Sequence, residues 1–145
     1  MARTMRVGWY VLLGLGLCPV FGGTVSADVV AVISTRNPVT SMSKSQVADI
    51  FLGKTVRFPD GTRAEPIDQA EGSSARAEFY ATFTGKSPAQ IKSHWTKIIF
   101  TGRGQPPVAV STSAEVRRLI AANPRAIGYI ERGAVDSTVK VLLLP

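Results

Sequence analysis

The feature that most restricts the fold is an uninterrupted apolar run, residues 29–33, which ends at Ser34. A continuous run of this length is typical of a strand that is buried on both faces of its sheet. Such a strand needs helices packed on each side. The run therefore predicts an α/β protein whose sheet is covered on both faces.

Strand and helix signals alternate along the rest of the chain. Ser43, Ser87 and Thr112 are each followed three positions later by Gln or Glu, which is the capping-box pattern of a helix start. With apolar residues at helical spacing, these signals predict helices over residues 43–52, 75–84, from 87 onward and from 112 to just before Pro124. Strands are predicted over residues 55–58, 63–68, 108–110, 126–130 and 139–144, the first two forming a hairpin around Asp60 and Gly61. This alternation predicts a mixed sheet flanked by helices.

The first 27 residues have the pattern of a secretory signal peptide. Arg3 and Arg6 precede an uncharged apolar stretch, residues 7–20, and small residues flank the expected cleavage point after Ala27. A transmembrane anchor is the alternative, but the stretch is shorter than the roughly 20 residues that a bilayer crossing needs. Lipidation at Cys18 is not expected, because Leu17 before it is bulky. We predict residues 1–27 as a signal peptide and residues 28–145 as one periplasmic or secreted domain.

The composition of the expected mature chain narrows the classes of partner. Cleavage removes the only cysteine, so the exported domain would hold no disulfide bond and no thiol chemistry. Loss of two arginines lowers the formal charge from +7 to +5, which favours anionic partners. Basic and aromatic residues do not alternate along any segment, so no nucleic acid is expected. No membrane association is expected after signal cleavage.

The turn that leads into the predicted helix 75–84 is the main candidate site. It contains Gly72, Ser73 and Ser74, and Arg76 follows in the first helical turn. Unpaired amides at a helix start, the positive end of the helix dipole, two hydroxyls and a guanidinium would together bind a small anion. The alternatives are a serine that only caps its own helix and a solvated arginine paired with a nearby carboxylate.

Two further segments are candidate parts of the same anion-binding site. Arg103 lies between two glycines in a loop and would be able to swing toward the turn, or it is an exposed arginine with no role. Thr112 and Ser113 begin another helix, which would aim at the same sheet edge because ligands of open α/β sheets gather at the carboxyl ends of strands. Their alternative role is helix capping alone.

Enzymatic chemistry is not predicted by the residue types present. His94 is the only histidine and lies within a predicted helix, without a second histidine or a cysteine in the mature chain for a zinc site. Ser73 lacks the G-x-S-x-G pattern of a hydrolase nucleophile. We expect a protein that is not an enzyme and that uses no metal and no cofactor.

The order of these motifs resembles the phosphate-type periplasmic solute-binding proteins of ABC importers. The resemblance is carried by segments 37–39 (Asn-Pro-Val), 43–46, 50–54, Gly72-Ser73 with Phe79 six residues after the serine, and 126–131 (Ala-Ile-Gly-Tyr-Ile-Glu). It implies the type 2 periplasmic-binding fold, in which two α/β lobes close on an anion held by helix N-termini and hydroxyls. It also implies an ABC importer as a partner.

The chain departs from that family in two respects. It looks like a single lobe, whereas full-length members supply a second lobe. The family's binding turn tends to read Arg-x-Asp-Gly-Ser-Gly-Thr, and here the arginine, aspartate and threonine are Gln69, Glu71 and Ala75. Ser73 is the side chain that the resemblance carries over directly, with Ser74 and Arg76 as local substitutes.

These observations lead to two hypotheses of different classes. The first is an exported protein that binds a small oxyanion such as phosphate, with an importer, another envelope protein or a second copy completing the cleft. The second is an interaction module that kept the fold, lost the ligand and docks on an envelope protein or a transporter through the loop 101–107.

Overall fold

The structure, a computed structural model, describes residues 28–145. The predicted signal peptide, residues 1–27, lies outside the described residues. The elements in chain order are β1 (Val29–Ser34), α1 (Lys44–Phe51), β2 (Glu65–Gln69), α2 (Ser74–Thr84), α3 (Pro88–Phe100), β3 (Val108–Val110), α4 (Ser113–Ala122), β4 (Ala126–Glu131), a 3-10 turn (Arg132–Ala134) and β5 (Val139–Val141).

The five strands form one mixed sheet in the order β3-β2-β4-β1-β5. Strand β2 runs parallel to β3 and β4, whereas β1 is antiparallel to both of its neighbours, β4 and β5. The predicted α/β class with a mixed sheet is confirmed.

Helices cover both faces of the sheet, as the apolar run of β1 predicts. All six residues of β1 are buried, and their side chains alternate between two hydrophobic clusters. Ala31 and Ile33 belong to the larger cluster, with residues of α1, α2 and α3. Val30 and Val32 belong to the smaller one, with Val116 and Ile120 of α4. The sheet is thus packed against helices on both of its faces.

The helices begin at the predicted caps. Ser43 and Ser87 each form both hydrogen bonds of a capping box. At Thr112 only half of the predicted box forms, because the carboxylate of Glu115 accepts from the amide of Ser111 instead of that of Thr112. Helix α2 starts at Ser74, one residue before the predicted start, with Ser73 as its cap.

Two strand predictions are wrong in extent. Residues 55–58 form no strand, and the expected hairpin is reduced to a single bridge between Arg57 and Arg63. The tight turn there is closed by Asp60, whose carboxylate accepts from the amide and the hydroxyl of Thr62. Strand β5 ends at Val141 because the chain changes partner there. The amide of Leu142 still bonds to the carbonyl of Ala31 in β1, whereas Leu143 bonds to Thr40 and forms a bridge with Ser41.

None of the helices in residues 28–145 has the length and apolar character required to cross a bilayer.

Candidate anion-binding site

Two helix starts meet at one edge of the sheet. Strands β2 and β3 are parallel and each leads into a helix, so that α2 and α4 both begin at the carboxyl edge. The side-chain amide of Gln69, the last residue of β2, connects the two helix starts. Its Nε2 donates to Ser113 Oγ at 3.2 Å and to the Tyr129 carbonyl at 3.1 Å, and its Oε1 accepts from Ser73 Oγ at 3.2 Å. The structure thus places Ser73 and Ser113 on either side of one buried amide.

The start of α2 has unused donors. Gly72 has a positive φ of 87°, which turns the chain into the helix, and no heavy atom within 4 Å would meet a Cβ there. Ser73 Oγ accepts from the amide of Arg76 at 3.3 Å. Among residues 28–145, no acceptor bonds to the amides of Ser74 and Ala75, and Ser74 is exposed. These two amides point out of the positive end of the helix dipole.

The start of α4 is different because it already has a negative group. Glu115 lies in its first turn and accepts from the amide of Ser111 at 2.9 Å. The first turn of α2 has no acidic residue. Of the two helix starts, that of α2 is therefore the one open to an external anion.

A buried carboxylate lies directly beneath the start of α2. Asp68 is buried and accepts from the hydroxyl of Tyr80 at 2.6 Å, from the amide of Gln69 at 2.8 Å and from the hydroxyl of Tyr129. Nε of Arg76 lies 3.5 Å from Asp68 Oδ1. The carboxylate is thus surrounded by donors on both oxygens, as a buried charge requires.

Arg76 is a buried residue and not a solvated one. Its side chain is 10% exposed, and its guanidinium carbon lies 5.1 Å from the ring centroid of Tyr80. The sequence left a bound anion or a nearby carboxylate as its partner, and the structure pairs Nε with Asp68. In the described part of the chain, no hydrogen-bond acceptor is assigned to its two terminal nitrogens.

Arg103 does not join this site. Its loop precedes β3 and enters that strand at the amino end, where Gln105 and Pro106 line a groove together with Glu65, the first residue of β2. Helix α2 begins after the opposite end of β2. Arg103 and Ser73 therefore lie at opposite edges of the sheet, which corrects the expectation that this arginine reaches the turn.

His94 has a structural contact. Its Nε2 lies 2.9 Å from the carbonyl oxygen of Leu52, which joins α3 to the end of α1. In residues 28–145 no group of three or more His, Cys, Asp or Glu side chains is arranged to hold a metal ion.

The sequence interpretation missed the cluster formed by Asp68, Tyr80 and Tyr129. The sequence analysis placed Asp68 at the end of a predicted strand and Tyr80 in a predicted helix, with no contact between them. A signal was present, since buried tyrosines need partners for their hydroxyls and Asp68 is the acidic residue next to the end of a buried strand. Pairing them requires knowing that β2 lies beside β4.

The two tyrosines make stability sensitive to alkaline pH. Burial, the charge of Asp68 and the hydrogen bond to it raise the pKa of both hydroxyls above the ordinary value. The contribution of the two neutral hydroxyls to the free energy of unfolding is complete below a pH of about 10. Above that pH it falls by about 1.4 kcal/mol per pH unit for each tyrosine.

Denaturant titrations of residues 28–145 across this alkaline range, read by tyrosine absorbance, measure the loss directly, because Tyr80 and Tyr129 are the two tyrosines of that range. Tyr80→Phe should roughly halve the slope of stability against pH. An unchanged slope would contradict the assignment.

Comparison with known proteins gives structural neighbours and no sequence family. No family model matches the chain, and no curated protein matches it. Solved structures similar to this chain include an ABC-type phosphate transport receptor from Vibrio cholerae, with a TM-score of 0.64 and 20% identity. A putative phosphate ABC transporter substrate-binding protein with bound phosphate from Clostridium perfringens has a TM-score of 0.63 and 20% identity. A possible phosphate binding protein from Planctomyces limnophilus has a TM-score of 0.61 and 13% identity.

The similarity covers most of this chain and less than half of each neighbour. It includes 81% of this chain in all three cases, and 46%, 44% and 41% of the three neighbours in the same order. At these identities the likeness shows the fold. The chain has the fold of one lobe of a periplasmic binding protein, as the resemblance in sequence implied.

Proposed function

We propose that this protein is an exported receptor for a small tetrahedral oxyanion, phosphate in the first place, which binds at the start of α2. The observation that carries the proposal is the pair of free amides of Ser74 and Ala75 in a helix start that lacks an acidic residue. An anion at that position would accept from both amides and from the hydroxyl of Ser74, and the hydroxyl of Ser73 would join them by leaving Gln69 Oε1. The space where a Cβ of Gly72 would lie is open, and Ser74 is exposed whereas Ala75 is buried.

The charge balance below the turn supports the same occupant. Asp68 pairs with Nε of Arg76, so the two terminal nitrogens of the guanidinium remain for an external acceptor. A planar guanidinium donates two parallel hydrogen bonds to an oxyanion more readily than an ammonium does. The neighbours' descriptions as phosphate receptors point to the same class of ligand.

The lobe formed by residues 28–145 would by itself leave its ligand half solvated. Affinity is then weaker than in a closed cleft, where water is excluded and donors converge from two sides. A second copy, a separate chain or the importer itself would complete the cleft, and an ABC importer in the same envelope is the partner that the proposed function implies.

The test places a negative charge in the proposed position. Ser74→Glu puts a carboxylate in the first turn of α2, where it should raise the free energy of unfolding by about 0.3–1 kcal/mol and weaken phosphate binding by about 10- to 100-fold. Calorimetric titration of residues 28–145 with phosphate, sulfate and molybdate, together with thermal unfolding, measures both effects.

Ala81→Glu serves as the matched control. Ala81 is an exposed residue near the other end of α2, so the variant carries the same net charge away from the site and should keep its affinity within about twofold. Equal losses in both variants, or no heat from the unmodified protein with any of the three anions at millimolar concentration, would contradict the proposal.

A second candidate function is an interaction module without a ligand. It is favoured because several polar groups at the turn already have partners within the protein. Gln69 bonds to Ser73 and Ser113, and Asp68 pairs with Nε of Arg76. Under this alternative, Ser74→Glu changes no anion binding because none exists, and capture of an envelope partner survives the substitution.

A further inference from the structure

The end of α3 exposes apolar side chains that the fold does not cover. Phe100 is 91% exposed and Ile99 is 55% exposed. Ile91 and Trp95 on the inner face of α3 are buried, and Ile98 packs against the same core. Because the helix is fixed by those contacts, Phe100 cannot turn inward.

The same part of the chain carries only positive charge. From Phe79 to Ala114 the sequence contains no Asp or Glu, whereas Lys86, Lys92, Lys97 and Arg103 all fall within it. Lys92, Lys97 and Arg103 are exposed and make no salt bridge within residues 28–145.

Two of these cations are close to Phe100 in sequence. Lys97 and Arg103 are each three residues away from Phe100, and the amide of Arg103 bonds to the carbonyl of Ile98, which folds the turn back onto the helix end. We call the surface made by Lys92, Lys97, Ile99, Phe100 and Arg103 the α3-end surface. It combines a protruding apolar group with cations that nothing in the described chain holds in place.

We propose that the α3-end surface binds an anionic lipid membrane, with Phe100 inserted among the headgroups and the cations in contact with lipid phosphates. A membrane presents uniform negative charge and needs no matching shape, so it suits a segment that is free of acidic residues, and it tolerates mobile cations. A protein partner generally selects aromatic anchors that sit in well-packed surroundings, and Phe100 has no such support. A second copy would bring like charges together. The proposal revises the expectation, drawn from the sequence, of no membrane contact.

The orientation of such binding follows from the topology. The loop after α3 leads to the amino end of β3, while α2 and α4 start at the carboxyl edge. A protein held by the α3-end surface presents the start of α2 away from the bilayer. Membrane binding does not depend on whether that helix start holds an anion.

Vesicle co-sedimentation of residues 28–145 tests the proposal. The range contains both hydrophobic clusters and omits the apolar stretch 7–20, which would itself bind lipid. The protein should sediment with phosphatidylcholine vesicles that contain phosphatidylglycerol and not with pure phosphatidylcholine, and added salt should release it. Phe100→Ser should lower the partition coefficient about tenfold, and Arg103→Gln about fivefold.

Lys44→Gln is the control for charge alone. Lys44 is exposed at the start of α1, outside the α3-end surface, so its replacement should change the partition coefficient less than Arg103→Gln does. Equal sedimentation with neutral and anionic vesicles, or equal effects of the two charge substitutions, overturns the proposal. Concentration-dependent dimerisation that Phe100→Ser abolishes, without vesicle binding, overturns it in favour of a second copy.

Discussion

Replacement of Asp68 with alanine is expected to lower the free energy of unfolding by about 3–5 kcal/mol. The substitution leaves the buried guanidinium of Arg76 without its carboxylate and removes the acceptor of two buried hydroxyls, those of Tyr80 and Tyr129. Each of these groups was desolvated on folding and would have no replacement partner. Chemical denaturation of residues 28–145, followed by circular dichroism, measures the loss.

A double-mutant cycle separates the ion pair from the rest of this cluster. Arg76→Met removes the charge and keeps an apolar side chain of similar length. If Asp68 stabilises Arg76, the variant with both substitutions should be more stable than the sum of the single effects predicts, by about 0.5–3 kcal/mol. Strict additivity would show that the 3.5 Å contact contributes nothing.

Replacement of Phe79 with alanine is expected to cost about 3–5 kcal/mol of stability. The Phe79 side chain is fully buried and lies at the centre of an aromatic cluster. Its ring stacks on that of Tyr129, with centroids 4.0 Å apart, and meets the edges or faces of three other rings, those of Phe51, Tyr80 and Phe83. The cavity left by the ring would be bordered by aromatic side chains too rigid to fill it.

Phe100→Ala is the matched control for Phe79→Ala. The chemical change is the same, but Phe100 is 91% exposed and its loss should alter stability by no more than about 0.5 kcal/mol. Comparable losses in the two variants, each measured by denaturant titration, would contradict the assignment of Phe79 as the centre of the core.

Much of the fold follows from short-range signals in the sequence. The burial of β1 on both faces and the caps at Ser43 and Ser87 were predictable because the residues that decide them are adjacent or three positions apart. Residues 55–58 failed as a strand because the turn at Asp60 closes on Thr62. The shortening of β5 depends on Thr40, about a hundred residues earlier, which no local pattern contains.

In the candidate site, too, the features that are local in sequence could be predicted and the contacts between distant residues could not. Ser73 was predictable as a helix cap, since capping is local in sequence. The cluster around Asp68 was not, because Asp68 meets Tyr129 only once β2 lies beside β4. The placement of Arg103 failed for a related reason, since a loop that precedes a parallel strand enters at the edge opposite to the one where ligands gather.

The position of β1 in the sheet determines when the protein can fold. The first strand of the described chain lies between the last two, and its register joins Val29 to Glu131 and Ser34 to Val139. The ribosome makes those partners about a hundred residues after β1, so until then the nascent chain holds a strongly apolar segment with nothing to pair against. A chain truncated before β4 should therefore stay unfolded and prone to aggregate.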